Sequence, residues 1–414
     1  MVRGLPALGS KQAKRRAPIL RVSLFYRQVK SVEVSMMIIF SYLQKKIRRR
    51  RKMEERVGSE PRRRYLFFAR LAYAFPILRP IEDEVRRRGD EAAWLVEEEI
   101  SNLLREEERR LLTVEDALRY DPMAVFAVEN YMLDFLPGIK VQVFHGFSIR
   151  KRKDQGNGYD YEHFKVNGLF DLYCTHGETS TGEFERLSAE KGFFKVSETG
   201  WPKLDYLFKN DPYDFEILRP SERPCILYTS TFTKGITSTP FLYDEIERLA
   251  ATQAWDWLIT FHPKMEKSVV LKYKALSEKY PHVIFYEGDN NLPLLKRADV
   301  MVCDSSSIIV EFLMLDKPVV TFRNTNPGDY LIDIERAEQL EESIERALKP
   351  TPELLGSIRQ HTYRINPYRD GRSAERVLEA VERFRMYHQG LLKSKPWNLI
   401  RKIKMRLKAK YYRW

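Results

Sequence analysis

The sequence predicts an α/β protein whose two doubly wound halves face a central cleft. Short apolar segments typical of buried strands alternate with segments of helical period along residues 65–205. The alternation stops in a polar, proline-bearing linker and restarts at Cys225. A chain of 414 residues is also long enough for two domains of about 150 residues with extensions. We therefore predict an N-terminal extension (1–62), two domains (63–207 and 208–388) and a C-terminal tail (389–414).

The first half is predicted to alternate strands with helices. Its apolar runs predict strands at Tyr65–Ala69, Ala92–Val96, Ala124–Val128, Lys140–Phe144 and Leu169–Cys174. Helical spacing predicts helices at Pro76–Arg88, Leu103–Leu112, Tyr131–Phe135 and Gly182–Ala189. Strands separated by helices at this spacing favour a parallel sheet covered on both faces.

The second half repeats the same pattern. Strands are predicted at Cys225–Thr229, Trp257–His262, Val283–Tyr286, Val300–Cys303 and from Pro318 onward. Helices are predicted at Phe241–Thr252, Val269–Tyr280, Leu292–Ala298, Ala337–Leu348 and Ser373–Tyr387, and one more follows Ser307. In such sheets, ligands bind at the carboxyl ends of the strands.

Charge is distributed very unevenly along the chain. The net formal charge of +13 divides into +15 for residues 1–64, −11 for residues 65–388 and +9 for residues 389–414. An acidic body argues against nucleic-acid binding. Basic ends favour attachment to an anionic membrane surface, where each cation contributes on the order of 1 kcal/mol.

Both ends carry apolar stripes at helical spacing. The stripe from Val22 to Leu43 predicts a helix that lies on a membrane, pairs with a second copy or packs on its own body, unless translation begins at Met36 or Met53. In the tail, Leu399, Ile400, Ile403 and Leu407 form a stripe with aromatic residues at both ends. This pattern is typical of an interfacial helix, and a helix packed back on the first domain is the alternative.

The sequence favours a cytoplasmic, reducing location. No apolar run approaches the roughly 18 residues that span a bilayer, and a cleavable signal is a poor match. Three widely spaced cysteines, Cys174, Cys225 and Cys303, suit neither a disulfide framework nor a zinc site, so we expect them to be buried.

Polar motifs follow four of the predicted strands. They are His145-Gly146-Phe147-Ser148-Ile149-Arg150-Lys151, the Ser/Thr run that includes Thr231 and Lys234, His262-Pro263-Lys264, and Asp304-Ser305-Ser306-Ser307. Each alone is as well explained by a turn or a helix cap. Together they would bring two imidazoles, several hydroxyls and four cations to one cleft. This set suits a hydroxyl nucleophile and a diphosphate leaving group.

The sequence contains no Gly-rich dinucleotide fingerprint, Walker loop or metal-ligand spacing. The residues therefore favour a nucleotide-donor transferase that uses neither a metal nor a cofactor.

The motifs resemble those of the CDP-glycerol glycerophosphotransferase family, the teichoic-acid type polyol-phosphate transferases. The resemblance covers roughly residues 142–322. It is carried by His145–Arg150, Gly200–Asp205, Ser230–Phe232, His262-Pro263, Asp304–Ser307, Glu311 and Leu315–Pro318. It implies a GT-B fold of two Rossmann-like domains. Phe147-Ser148, Lys203 and Ser305 depart from the family pattern, and an arginine is missing after Phe232, where Lys234 offers a charge without the fork of arginine.

The resemblance also implies roles for individual residues. His145 would deprotonate an acceptor hydroxyl that attacks the β-phosphate of the donor. His262, with Ser306 and Ser307, would hold the diphosphate as CMP leaves. Asp304 and Glu311 would position the loop or contact the nucleotide. The other expected donor-binding residues are Gly146, Arg150, Thr231, Lys234 and Ser305.

The implied donor is CDP-linked and the implied acceptor is a glycan or a lipid-linked molecule at the inner face of the membrane. Glycerol, ribitol and a sugar all remain open as the transferred group. A GT-B glycosyltransferase or a relative of UDP-N-acetylglucosamine 2-epimerase, which would have glycines at Ser306 and Ser307, is the alternative enzyme. A non-catalytic membrane scaffold with the same fold is the alternative from another class. The sequence does not indicate an oligomeric state.

Overall fold

The structure is a computed structural model that describes residues 62–147, 165–209, 222–288 and 290–412. The predicted N-terminal extension with its apolar stripe lies outside the described residues, and so do Ser148, Arg150 and Lys151. Residues 63–414 belong to one compact unit. The fold and the site described below lie within this unit.

The first sheet consists of parallel strands rich in buried aromatic and aliphatic residues. Among the described residues its strands are β1 (Arg64–Ala69), β2 (Glu91–Val96), β3 (Ala124–Ala127), β4 (Ile139–Gln142), β5 (Leu172–Thr175) and β6 (Lys195–Glu198). Their order is β2-β1-β3-β4-β5-β6. Consecutive residues such as Tyr65, Leu66 and Phe67 are all buried, as a strand covered on both faces requires.

The second sheet is also parallel. In the described part of the chain its strands are β7 (Cys225–Ser230), β8 (Asp256–Phe261), β9 (Val283–Phe285), β10 (Val300–Cys303), β11 (Val319–Phe322) and β12 (Ile332–Ile334). Their order is β12-β11-β10-β7-β8-β9. β7, β8 and β10 are therefore neighbours, and the motifs that follow them meet at one edge. The predicted α/β class with two parallel sheets is confirmed.

Helices cover both sheets. Those of the described residues are α1 (Phe75–Arg87), α2 (Val114–Tyr120), α3 (Glu178–Lys191), α4 (Asp205–Phe208), α5 (Thr239–Thr252), α6 (Lys267–Lys279), α7 (Leu292–Arg297), α8 (Ile308–Leu313), α9 (Leu340–Leu348), α10 (Pro352–Ile365), α11 (Ser373–Tyr387) and α12 (Leu399–Lys408). None of them is long and apolar enough to cross a membrane.

Two predicted helices are wrong. The segment Leu103–Leu112 contains only the end of a short 3-10 helix, and the rest runs beside β2, where the Leu111 N–H donates to the Trp94 carbonyl at 2.8 Å. The buried Glu108 carboxylate accepts from Arg79 Nε at 2.7 Å, which fixes this irregular path. Tyr131–Phe135 is a loop without helical structure, in which Met132 and Leu133 are buried and Tyr131 and Phe135 are half-buried.

Three helices were missed: the four-residue α4, and two longer helices that each have an N-terminal signal. α2 begins with a capping box, in which Thr113 and Asp116 each accept a hydrogen bond from the backbone N–H of the other. α10 begins after Thr351, whose hydroxyl accepts from Leu354 N, and has Pro352 in its first turn. Both signals are local, so the sequence contained them.

The chain returns to the first sheet near its end. Val377, Leu378, Val381 and Phe384 of α11 belong to the same buried cluster as the first sheet, although the sequence pattern placed this helix in the second half. The cluster continues through Trp201 and Leu204 into α7 and α8 of the second sheet. One apolar cluster therefore joins the two sheets. The three cysteines are buried, as predicted.

Candidate functional site

Asp304 organises the carboxyl edge of the second sheet. Its side chain is fully buried directly after β10. One carboxylate oxygen accepts from Thr231 N at 3.0 Å and Ser305 N at 2.8 Å, and the other accepts from Ser238 N at 3.0 Å and from the Ser230 hydroxyl. Asp304 thus fixes both ends of the Ser/Thr loop that follows β7. These contacts suit the loop-positioning role that the sequence resemblance implies.

Replacing Asp304 by asparagine is expected to loosen this loop. The amide nitrogen would face N–H donors in a buried site, and leaving such groups unsatisfied costs roughly 1–3 kcal/mol. We expect a lower melting temperature together with reduced activity. Asp244→Asn, at an exposed position on α5, is the matched control. Unchanged stability of Asp304→Asn would contradict the assigned role.

The serine turn after β10 also holds the next loop of the sheet. The Ser305 hydroxyl accepts from Thr325 N at 2.9 Å, and Asn324 Nδ2 donates to the Asp304 carbonyl at 2.8 Å. Ser306 and Ser307 lie half-buried at the start of α8. The hydroxyls of Ser306 and Ser307 are therefore the more accessible ones of the turn, and the loop containing Asn324 is a neighbour that the sequence pattern did not place there.

His262 lies directly after β8 and is exposed. Its Nδ1 accepts from Lys264 N at 3.0 Å, and its ring centre is 4.5 Å from that of Phe232. A neutral imidazole that accepts at Nδ1 carries its proton at Nε2. His262 is thus arranged as a hydrogen-bond donor through Nε2, and Lys234 and Lys264 are exposed in the adjacent loops.

His145 lies just beyond β4 of the first sheet and is also exposed. Its ring centre is 5.8 Å from that of Tyr73. A Cβ added at Gly146 would meet none of the described atoms within 4 Å, so no described residue crowds the turn at this point. The predicted partner Arg150 lies outside the described residues.

A polar group beside His145 was missed by sequence reasoning. Tyr73 donates to Glu129 at 3.4 Å, Arg70 lies 3.8 Å from the same carboxylate, and the Arg70 guanidinium stacks on Tyr131 at 4.4 Å. Burial and the nearby Glu129 raise the pKa of Tyr73, so its hydroxyl stays protonated. These residues follow β1 and β3. Their position directly after predicted strands is the sequence signal that could have identified them.

A buried chain of contacts joins the two sheet edges. Trp201 Nε1 donates to the Phe144 carbonyl at 3.2 Å, next to His145. Two residues later, Lys203 Nζ lies 2.6 Å from the Glu311 carboxylate on α8. Both side chains of this ion pair are buried. Segments that leave the carboxyl ends of the two sheets are therefore in direct contact, and Glu311 is engaged by Lys203.

Other residues of the recognised motifs stabilise the fold. Asp205 accepts from the Ser373 and Ala374 N–H groups at 2.9 and 2.8 Å and caps α11, although burial raises the pKa of this carboxyl. Lys317 Nζ donates to the Ala298 carbonyl at 2.6 Å, at the end of α7, and burial lowers its pKa to about 8. Asp205 and Lys317 therefore cap helix ends: Asp205 caps the start of α11, and Lys317 caps the end of α7.

The structure brings Thr231, His262 and the Asp304–Ser307 turn to one edge of the second sheet. It places His145 and Gly146 at the carboxyl edge of the first sheet. An exposed imidazole lies at each edge, and hydroxyls and lysines lie beside one of them. Transfer of a phosphate-bearing group to a hydroxyl uses groups of these kinds, as a base and as partners of the developing negative charge. Among the described residues, no group of three or more His, Cys, Asp or Glu side chains is placed to hold a metal ion.

Solved structures with similar folds include two kinds of enzyme. The wall teichoic acid polymerase TagF has a TM-score of 0.58 at 14% identity, covering 78% of this chain and 90% of that chain. A UDP-N-acetylglucosamine 2-epimerase from Listeria monocytogenes has a TM-score of 0.57 at 13% identity, covering 80% and 98%. At this identity the likeness concerns the fold, and it confirms the predicted GT-B-like arrangement.

Sequence comparison identifies the family. The teichoic acid glycerol-phosphate primase of Bacillus subtilis (strain 168) is 23% identical over 232 residues, which are 51% of this chain and 58% of the primase. The chain thus spans less than two thirds of that relative's length. The model of the CDP-glycerol:poly(glycerophosphate) glycerophosphotransferase family matches residues 141–383, more than half of the chain. This protein therefore belongs to the CDP-glycerol:poly(glycerophosphate) glycerophosphotransferase family.

Proposed function

We propose that the chain transfers a polyol phosphate, with glycerol phosphate as the first candidate, from a CDP-activated donor to a hydroxyl of a glycan or lipid-linked acceptor. The observation that carries this proposal is the pair of exposed histidines, His145 after β4 and His262 after β8, one on each sheet. Family membership supports the donor class. A TagF structure with a TM-score of 0.54 was obtained after a soak with CDPG, which supports the same donor.

In the proposed reaction the acceptor oxygen attacks the β-phosphorus of the donor. A new oxygen–phosphorus bond forms, and the bond from the β-phosphorus to the bridging oxygen breaks. The acceptor proton passes to His145, and CMP leaves with the electron pair of the broken bond. General-base catalysis of this kind contributes roughly 10²–10⁴-fold in rate.

The hydrogen bonding of His262 supports a separate role for this residue. Because its Nδ1 accepts from Lys264 N, its Nε2–H can donate to a diphosphate oxygen. Hydroxyls of Ser306 and Ser307 and the ammonium of Lys234 would stabilise charge on the leaving CMP. His262 is therefore proposed to bind the donor, while His145 accepts the proton.

We also place the enzyme at the cytoplasmic face of the membrane, where a lipid-linked acceptor is accessible. α12 packs on the first sheet through Met405, which is only 3% exposed, whereas Ile400 is 72% exposed and Leu407 56% exposed. The helix thus turns most of its apolar stripe away from the body. Five basic residues lie between Arg401 and Lys408. An outward apolar stripe with flanking cations suits an anionic bilayer surface.

Replacing Ile400 and Leu407 together by glutamine is expected to move the protein from the membrane to the soluble fraction. Both side chains are exposed, so the melting temperature and the activity on a soluble acceptor should stay unchanged. The matched control is Leu112→Gln with Leu271→Gln, two exposed leucines outside the tail. Equal fractionation of both double variants would contradict the role of the stripe.

A nucleotide sugar is the alternative donor, because the epimerase fold matches about as well as that of TagF. A release assay across CDP-polyols and UDP-sugars distinguishes the two. We expect CMP to appear only with a CDP-polyol and an acceptor. Appearance of UDP from a nucleotide sugar, with no CMP from any CDP-polyol, would overturn the proposal.

A further inference from the structure

A cavity of about 810 Å³ lies at the opposite edge of the first sheet from His145. Its floor is formed by the residues that begin β4 and precede β5, and its cover by the end of α11, the following segment and α12. None of the candidate catalytic residues lines this cavity. A ligand in this cavity would therefore lie apart from the proposed transfer reaction.

The cavity carries an excess of positive charge. It is lined by Lys140, Lys393, Lys395, Lys402 and Arg406, against the carboxylates of Asp134 and Asp171. Lys395 Nζ lies 2.5 Å from Asp171, and Arg406 and Lys402 lie 3.3 and 3.8 Å from Asp134. Both carboxylates are thus already neutralised by these cations. Three formal positive charges remain in excess.

The remaining cations suit an anion. Lys140 Nζ is half-buried and donates to the Gly138 carbonyl at 3.1 Å, and burial lowers its pKa. Within the described residues, Lys393 Nζ has no hydrogen bond or ion pair. A phosphate in the cavity would accept from both ammonium groups and stabilise their charge.

One carboxylate oxygen in the cavity indicates that the ligand should also carry a hydrogen-bond donor. Asp134 Oδ1 is buried and has no hydrogen-bond partner in the described part of the protein, and the Asp134 side chain is only 10% exposed. A buried acceptor without a donor is unfavourable by roughly 1–3 kcal/mol. A ligand that carries a hydroxyl beside its phosphate would satisfy this oxygen.

The rim of the cavity is apolar on the side of the tail. Trp397, which is 82% exposed, and Leu399 both line the cavity, and Ile400 follows them on the outward stripe of α12. Acyl chains could run along this rim while the headgroup enters the cavity. The cavity and the proposed membrane-facing stripe are therefore continuous.

We propose that this cavity binds the phosphate and a hydroxyl of an anionic phospholipid headgroup, so that the enzyme holds individual bilayer lipids rather than only a charged surface. The inference rests on the proposed membrane location and adds a defined lipid site to it. Phosphatidylglycerol, which carries one negative charge and two headgroup hydroxyls, is the probe that meets both requirements.

The first test is binding of the full chain to phosphatidylcholine vesicles that contain equal fractions of phosphatidylglycerol or phosphatidylmethanol. Wild type is expected to prefer phosphatidylglycerol, because phosphatidylmethanol has the same net charge but no hydrogen-bond donor in its headgroup. Lys393→Gln with Lys402→Gln should weaken phosphatidylglycerol binding at least tenfold more than the control pair Lys404→Gln with Lys410→Gln. Both control lysines are exposed, and neither lines the cavity. Equal losses in the two pairs would overturn the site and leave general membrane binding intact.

The second test uses submicellar dihexanoylphosphatidylglycerol with brominated chains, which requires no vesicle. We expect it to quench tryptophan fluorescence in wild type and much less in Trp397→Phe. This signal distinguishes loss of lipid binding in the cavity from loss of membrane binding. A protein that does not bind vesicles can still bind the short-chain lipid. Equal quenching in both proteins, or displacement of the lipid by millimolar inorganic phosphate at constant ionic strength, would contradict a lipid site.

Discussion

Replacing His145 by alanine is expected to lower turnover by roughly 10²–10⁴-fold, the contribution of a general base. The residue follows β4 and its side chain is exposed, so its removal leaves no cavity in the core. The melting temperature should therefore stay within about one degree of wild type. The measurement is CMP release with a CDP-polyol donor and a soluble acceptor.

A rescue experiment separates a chemical role from a structural one. Because the His145 side chain is exposed, added imidazole should restore part of the activity of His145→Ala and leave wild type unchanged. The neighbouring Gly146→Ala, whose added Cβ would meet none of the described atoms within 4 Å, tests whether a change in the turn alone has the same effect. A melting temperature lowered by several degrees, with no rescue, would assign His145 to the fold.

Breaking the buried ion pair between Lys203 and Glu311 is expected to cause the largest loss of stability. The two side chains lie 2.6 Å apart, and the pair connects the segment after β6 to α8. Removing one partner leaves a buried charge without its counterion, at a cost of roughly 3–5 kcal/mol. Lys203→Met should therefore lower the free energy of unfolding by this amount, measured by urea denaturation.

The double variant Lys203→Met with Glu311→Leu is the control for that measurement. Replacing both charges by apolar groups is often close to neutral, so most of the lost stability should return. Lys274→Met breaks an exposed pair with Glu287, also at 2.6 Å, and should change stability by at most about 1 kcal/mol. If Lys203→Met costs no more than Lys274→Met, the ion pair does not hold the two edges together.

The fold was largely predictable because strand identity depends on local composition. Largely apolar runs such as Tyr65–Ala69 and Cys225–Thr229 indicate strands that are buried on both faces, and their alternation with helices implies parallel sheets. The wrong helix at Leu103–Leu112 had helical composition, but burial of Glu108 against Arg79 overrode it. Such a tertiary contact cannot be read from spacing.

Part of the site was predictable for the same reason. Polar motifs at strand ends placed Thr231, His262 and Asp304 together, because β10, β7 and β8 are adjacent. The structural role of each residue was not predictable. Lys203 and Glu311 are 108 residues apart, and Asp205 caps a helix that begins 168 residues later. The direction in which α12 turns its stripe likewise depends on packing of Met405.

Titration calorimetry of CDP-glycerol binding tests the central claim most directly. The claim is that the two sheet edges divide the reaction between them, and the measurement compares wild type with two single variants. His145→Ala should bind the donor with the dissociation constant of wild type, because His145 acts on the acceptor. His262→Ala should bind it at least tenfold more weakly, because the Nε2–H of His262 donates to the diphosphate. Unchanged affinity in His262→Ala together with weakened affinity in His145→Ala would contradict the account.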